Sequence, residues 1–454
     1  MRDHNRIIYL TETSERDLKN LLRSLRHEST RRLIKRGFVV LTIHCLAQTL
    51  LAQQSFSWQE IRDKFESTNP TLRASRIGID ESRAAEITAF LRPNPQQSLI
   101  VDQIGNTASG SIFSASTAIT VLSYLHERQG KRELRRESAQ KGTGIAESQQ
   151  ADLTRTLLFT LRNAFIQVLQ AKAIVALAKE NLDYYDRVLS VSRDRFDVGD
   201  IAQVDLDRLE LQRVQFTSDV ETSTVNLRTA KIQLLTLLND RTPIEQFDVV
   251  GPFDFTEKIS PLEEFRKVAL DTRPDLRAAM QAIDKAHTDH RLAIANGSVD
   301  PTFSLDVGVP AISQAFLSFQ PPLRQYVGVG VSVPLRIFDR NQGEKLRTQL
   351  DVGRIEQLRD ATLAQVFSDV DSAYATLTSN LSLLQPYREK YLDQASRVRE
   401  TMSFSYQNGG ASLLDFLNAQ NDYRSTQRNY LSLIGAYLTA AAQLNLAVGR
   451  EVIP

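Results

Sequence analysis

The chain has 454 residues, and its 55 Lys and Arg nearly cancel 54 Asp and Glu, so no broad electrostatic pull toward nucleic acid or acidic lipid exists. With 42% apolar residues but only 19 Gly, 14 Pro, one Trp and one Cys, the composition is that of a long-helix protein. The lone Cys45 cannot form an internal disulfide.

Residues 1–52 read as a leader that ends in a secretory signal peptide. Arg31, Arg32, Lys35 and Arg36 precede an apolar run from Phe38 to Ala52, which falls short of the roughly 20 residues a spanning helix needs. Cleavage after Ala52 leaves Gln53 as the mature start, although Leu50 at the minus-three position is larger than the rule prefers. The 37 residues ahead of the run are long for an n-region, which fits a true start downstream of Met1. A twin-arginine reading of Thr30 to Lys35 is loose, and His44 makes the residues before Cys45 a poor lipidation box.

The first repeat is placed at 53–240. It opens with a polar helix over about 56–91, continues through strands at Ser98 to Ile104 and Ser116 to Leu125 around a Gly/Ser-rich loop, and enters a helix from about Glu133 to Asp194. A second helix returns after Gly199. A linker occupies 241–260, and a second repeat fills 261–454 in the same order: a polar helix over about 260–296, strands at Thr302 to Val309 and Tyr326 to Leu335 around the Pro-rich loop 310–324, a helix from Gly343 to Met402 interrupted mainly at Pro386, and a returning helix.

The clearest strand sets Val327, Val329, Val331, Val333 and Leu335 against Tyr326, Gly328, Gly330, Ser332 and Pro334. One face is apolar and the other small or polar, a pattern that suits a tilted transmembrane strand as well as a half-buried soluble one. Four strands cannot close a barrel, and lipid does not tolerate an open sheet edge. If the strands enter a membrane, several chains must pool them.

The two halves also match residue by residue. Arg195-Phe196-Asp197-Val198-Gly199-Asp200 returns as Ser405-Tyr406-Gln407-Asn408-Gly409-Gly410, and the offset of 210 residues holds without a gap to Asn239 and Gly449. The second returning helix carries Phe416, Tyr423, Tyr430, Tyr437 and Leu444 at seven-residue steps, each followed three residues later by Ala419, Thr426, Leu433, Ala440 or Ala447. In the first half one seam contains Leu206, Leu209, Phe216, Val220, Leu227, Ala230, Leu234 and Leu237. Val204, Leu211, Val214, Val225, Ile232 and Leu235 form another. Two seams on one helix call for neighbours on both sides, as in the wall of a cylinder. An isolated coiled-coil hairpin would explain a single aromatic stripe equally well.

The signal peptide, the duplicated strand-pair and helical-hairpin unit, the repeated aromatic-x-x-Gly-x-x-x-x-x-Asp turn, and the run Val333 to Gly343 entering a helix together resemble the TolC-type outer-membrane efflux proteins over about residues 56–450. Leu125 to Arg132 is similar to the family's other strand-to-helix junction, and Phe338-Asp339-Arg340-Asn341-Gln342-Gly343 is most similar to the cobalt-zinc-cadmium branch. The resemblance implies a mainly α fold with a small β part. Long antiparallel hairpins would form a trimeric α-barrel, and four transmembrane strands per chain would complete a 12-stranded barrel in the outer membrane. The implied partners are two further copies of the chain, a periplasmic adaptor, an inner-membrane pump of the RND or ABC type, and outer-membrane lipid, with the tunnel extending into the periplasm.

The same resemblance implies site residues. Val198, Gly199, Asp200, Asn408, Gly409 and Gly410 correspond to the periplasmic tip that meets the adaptor. Asp205, Asp415 and Asn418 correspond to the tunnel gate, where the family carries a second Asp at the place of Asn418. Physics alone assigns Gly199 and Gly409 to closing a helix, and Asp205 and Asp415 to favourable positions near a helix N-terminus worth about 0.3–1 kcal/mol. His287 and His290, with Asp284 and Asp289, have helical spacing that suits a metal, but equally suits two exposed His on a polar helix. No cofactor, nucleophile triad or phosphate loop is expected, and the chain does not read as an enzyme. A periplasmic adaptor, normally built on one hairpin between β-rich modules, and a soluble coiled coil are the rival readings.

Overall fold

The computed structural model describes residues 54–102, 117–309 and 325–453, so the expected signal peptide, Cys45 and both expected strand-pair loops lie outside the described residues. The chain divides into two compact units, Met1–Phe56 with Thr242–Val250, and Ser57–Arg241 with Gly251–Pro454. The first unit contains a two-stranded parallel sheet of β1 (Gln54–Phe56) and β4 (Phe247–Val249), with the rings of Phe56 and Phe247 5.6 Å apart. This pairing, which draws on residues of the expected linker, carries no sequence signal long enough to be read.

The larger unit begins with α1 (Trp58–Thr68) and α2 (Pro70–Phe90), and its second half begins with α5 (Leu262–Thr272) and α6 (Pro274–Asn296). The expected single helices at 56–91 and 260–296 are therefore each two. A residue before proline is pushed out of the α region. Asn69 and Arg273 accordingly sit at extended ψ values of 121°, each starting a new helix with Pro at its first position. Asn69 also caps its helix by accepting from the Leu72 amide at 3.1 Å.

β2 (Gln96–Asp102), β3 (Thr117–Leu125), β5 (Thr302–Val309) and β6 (Tyr326–Ser332) form one antiparallel sheet in the order β2-β3-β5-β6. The strand expected to reach Leu335 stops at Ser332, just before Pro334, which has no amide to donate. The register makes the expected alternation two-dimensional. Val327, Val329 and Val331 stand beside Val307, Leu305 and Phe303, which stand beside Thr120, Leu122 and Tyr124. The adjoining positions of β2 are Leu99 and Gln97. On the other face Gly328 and Gly330 oppose Asp306 and Ser304. The apolar face is uncovered in the single chain, with Val329 86% exposed.

The rods are α3 (Lys131–Asp197), α4 (Gln203–Leu237), α7 (Gln342–Pro386), α8 (Leu392–Gln407) and α9 (Leu413–Val448). At 1.5 Å per residue the 67 residues of α3 run about 100 Å. The long helix expected to weaken at Pro386 does so through a π-turn at Tyr387–Tyr391. Tyr387 stacks on Tyr430 at 6.3 Å, and Arg388 lies over the Phe255 ring at 3.8 Å. Helix α3 packs against α2, α4, α6 and α9, and α7 against α6 and α9. Helices α3 and α9 each hold an 18-residue window apolar enough to cross a bilayer, but 44% and 50% of those windows are buried in the chain's own packing.

The aromatic seam of α9 is core: Phe416, Tyr423, Tyr437 and Leu444 are buried, and so are Ala419, Ala440 and Ala447. The second seam of α4 is not. Val204, Leu211, Val214, Val225 and Ile232 are all exposed, Leu211 at 72%, and only Leu235 of that set is buried.

Candidate functional site: the hairpin tips and the entrance

Both long hairpins turn in the same way. After α3, Gly199 adopts φ +84°, its amide donates to the Phe196 carbonyl at 2.9 Å, and the Asp200 amide donates to the Arg195 carbonyl at 2.8 Å. After α8, Gly409 adopts φ +76°, with the matching bonds to Tyr406 at 3.1 Å and from Gly410 to Ser405 at 2.8 Å. These are paired Schellman caps, which satisfy the last carbonyls of a helix and reverse the chain. The duplication extends to the other special conformations. Asn239 and Gly449 both have positive φ at the ends of α4 and α9, and Gly130 and Asn341 both have it at the starts of α3 and α7.

All six tip residues, Val198, Gly199, Asp200, Asn408, Gly409 and Gly410, are exposed. A side chain built at Gly199 or Gly409 would meet nothing within 4 Å. The tips thus present backbone and small side chains to solvent, held from beneath by a small core in which Tyr185 stacks on Phe216 at 4.5 Å and Tyr406 on Phe416 at 5.3 Å.

The three candidate entrance residues differ from one another in environment. Asp415 is exposed in the first turn of α9. The Ser412 hydroxyl accepts from the Asp415 amide at 3.1 Å and donates to the Asp415 carboxylate at 2.7 Å. Asp205 holds the corresponding place on α4 with no side-chain cap, and its carboxylate is 4.0 Å from Arg208. Asn418 is exposed on the same helix as Asp415. No hydrogen bond or ion pair joins Asp205 to Asp415 within the described residues of the chain.

Two residues that sequence reasoning left unassigned bind the hairpins together. The Arg195 Nη1 donates to the Tyr406 carbonyl at 2.8 Å, and its guanidinium lies 5.7 Å from the Tyr406 ring. Burial pushes the Tyr406 phenol above its ordinary range and the Asp205 carboxylate adds to this, while Ser192 and Arg195 oppose it. The buried Tyr406 hydroxyl is left without a completed hydrogen bond, and the neighbouring Ser192 hydroxyl donates to the Val188 carbonyl at 3.0 Å. The aromatic residue shared by Phe196 and Tyr406 in the repeat was the available signal, but it carries no indication of which hairpin it would contact.

The His287 and His290 pair builds no metal centre in the described residues. His290 Nδ1 lies 3.0 Å from the Thr348 hydroxyl, and no group of three or more His, Cys, Asp or Glu comes together there.

A family model described as "Outer membrane efflux protein" matches residues 266–450. Among curated proteins the chain is similar to the cobalt-zinc-cadmium resistance protein CzcC of Cupriavidus metallidurans, at 22% identity over 84% of this chain and 87% of that one. It is also similar to the outer membrane protein TolC of Escherichia coli, at 22% identity over 83% and 80%. Among solved structures, a chain of CusC superposes with a TM-score of 0.72 at 16% identity, covering 87% of this chain and 92% of that one. With its duplicated hairpins and its four-stranded sheet, the chain has the fold of that channel, and its second half matches the outer membrane efflux protein family model over residues 266–450.

Proposed function

We propose that three copies of the chain form the outer-membrane conduit of a tripartite efflux system, passively conducting substrates that an inner-membrane pump expels and a periplasmic adaptor relays. One observation carries this reading: an antiparallel sheet with a largely apolar exposed face and, among the described residues, two unpaired edges, β2 and β6. Such a sheet suits lipid only after its edges are joined to those of neighbours. Three copies laid β6 to β2 make a closed barrel of twelve strands. The exposed valine and leucine seam of α4 supports the same assembly, since a neighbouring protomer would cover it.

Within that assembly the tips at Val198–Asp200 and Asn408–Gly410 meet the adaptor, and Asp205, Asp415 and Asn418 line the entrance. Symmetry brings three copies of Asp415 around one axis, where a ring of carboxylates favours cations. Asn418 supplies no second ring. The Phe338 to Gly343 run, together with the likeness to a cobalt-zinc-cadmium resistance protein, favours metal cations as cargo. Nothing in this role requires a catalytic step.

The test is fractionation followed by reconstitution. Heat-modifiable trimers in the outer-membrane fraction that form cation-favouring channels in planar bilayers are expected. A monomer released by osmotic shock would sink the reading. Cross-linkers at Val198 and Asn408 are expected to capture the adaptor, while cross-linkers at Ile77 on α2 are not.

A further inference from the structure

Trp58, the chain's single tryptophan, opens α1 beside a cavity of about 410 Å³ between α3 and the C-terminal end of α9. Its walls are largely apolar, with Leu158 and Phe159 from α3 and Ala442 and Leu446 from α9. Four guanidinium side chains also line it, those of Arg62, Arg155, Arg162 and Arg450, against the one carboxylate of Glu451.

Two of these arginines are committed. Arg155 pairs with Asp152 at 2.5 Å and donates to the Leu446 carbonyl at 2.5 Å, and Arg62 pairs with Glu66 at 3.0 Å. Arg162 and Arg450 have no hydrogen bond or ion pair among the described residues. The Arg162 guanidinium lies over the Trp58 ring at 4.5 Å and 6.0 Å from the Phe165 ring. Burial holds it below its ordinary basicity, opposed only by the charge of Glu451. A partly desolvated cation with no carboxylate in contact is costly, and an arriving anion would relieve that cost. The cavity volume falls in the range of small-molecule sites, about 300–1,000 Å³.

We propose that this cavity binds an amphipathic organic anion, its carboxylate or phosphate head held by Arg162 with Arg450 at the mouth, and its apolar body lying along Leu158, Phe159 and Leu446. The occupant is a small molecule of this class, and the site is separate from the tips and the entrance.

Because Trp58 is the only tryptophan, its emission reports on the site directly in the full-length detergent-solubilised protein. The probes are octanoate, octanol, which keeps the chain and lacks the charge, and acetate, which keeps the charge and lacks the chain. Octanoate is expected to change Trp58 emission saturably. Arg162→Gln is expected to weaken binding about tenfold or more, as for the loss of a charged hydrogen bond, and Arg162→Lys to retain most of it. Arg450→Gln alters an exposed residue and is expected to weaken binding several-fold without disturbing folding. The proposal is overturned by the absence of a saturable change, by an unchanged midpoint in both Gln variants, or by octanol or acetate saturating at the octanoate midpoint.

Discussion

Arg195 of α3 and Tyr406 of α8 are joined by a 2.8 Å hydrogen bond from the guanidinium to the backbone carbonyl, so the ends of two different hairpins are fastened to one another. The acceptor carbonyl also receives the Gly409 amide that closes the turn. Arg195→Ala is therefore expected to loosen the entrance and to lower stability by about 1–2 kcal/mol, the range for a hydrogen bond from a charged group with partial solvent access. Single-channel conductance should rise in the variant. An unaltered conductance with the stability loss present would confine Arg195 to a structural role.

At the tips, Gly199→Ala and Gly409→Ala are each expected to cost about 1–2 kcal/mol, because an L-residue in the left-handed region is strained. No atom beyond the adjoining residues lies within 4 Å of the added methyl, so the cost is local backbone strain rather than crowding against the rest of the chain. Asn at either position should cost less, since it tolerates this conformation. Denaturant midpoints of the purified protein check the order Gly, Asn, Ala.

The Ser412 and Asp415 pair allows charge and capping to be separated. Ser412→Ala removes the cap of α9 and is expected to cost about 1 kcal/mol while leaving ion selectivity unchanged. Asp415→Asn removes the charge and is expected to reduce block by divalent cations in planar bilayers. Equal block in wild type and Asp415→Asn would remove this residue from the gate.

On the sheet, Val329→Arg distinguishes lipid from water. At 86% exposure, a soluble protein would accept this change within about 0.5 kcal/mol. In a bilayer an outward Arg near the midplane costs about 2–4 kcal/mol, so yield of inserted trimer should fall sharply. Ser304→Arg, on the opposite face of β5, should insert normally and alter conductance instead.

Arg273, 4% exposed, pairs with Asp275 at 2.5 Å and Asp369 at 2.8 Å and donates to the Ala447 carbonyl, pinning the α5–α6 elbow to α7 and α9. Burial would push the Asp275 carboxyl up, but the hydrogen bonds and charge of Arg273, with Arg155 behind it, leave it below its ordinary value. Its stabilising contribution is then complete above the unfolded value of about 4 and is lost as pH falls through the depressed folded value. Asp275→Asn should flatten the acid limb of a denaturation series, and an unchanged limb would assign that sensitivity to other carboxylates.

The long rods and the β5–β6 hairpin were legible because each rests on a repeated spacing. The heptad of α9 and the alternation from Val327 to Val333 are written in consecutive residues. The elbows at Asn69 and Arg273 were legible in principle through the following prolines, but the polar periodicity on either side masked them. What the sequence conceals is contact between distant segments. Nothing in residues 54–56 announces their pairing with 247–249, and nothing in Arg195 specifies a carbonyl 211 residues away. The candidate tip and entrance came from the repeat and the family likeness, whereas the Arg195–Tyr406 fastening required coordinates.

The π-turn at Tyr387–Tyr391 follows Pro386, whose nitrogen donates no hydrogen bond. The rod is therefore already interrupted there, about one-third of its length from the tip. The segment beyond it, Leu392–Gln407, can pivot by adjusting a few torsions around a joint braced by Tyr430 and Phe255, without unwinding an intact helix. In the proposed conduit, a wide aperture and a narrow one would then differ by the angle of a short lever, and the barrier between them would be set by what holds its free end.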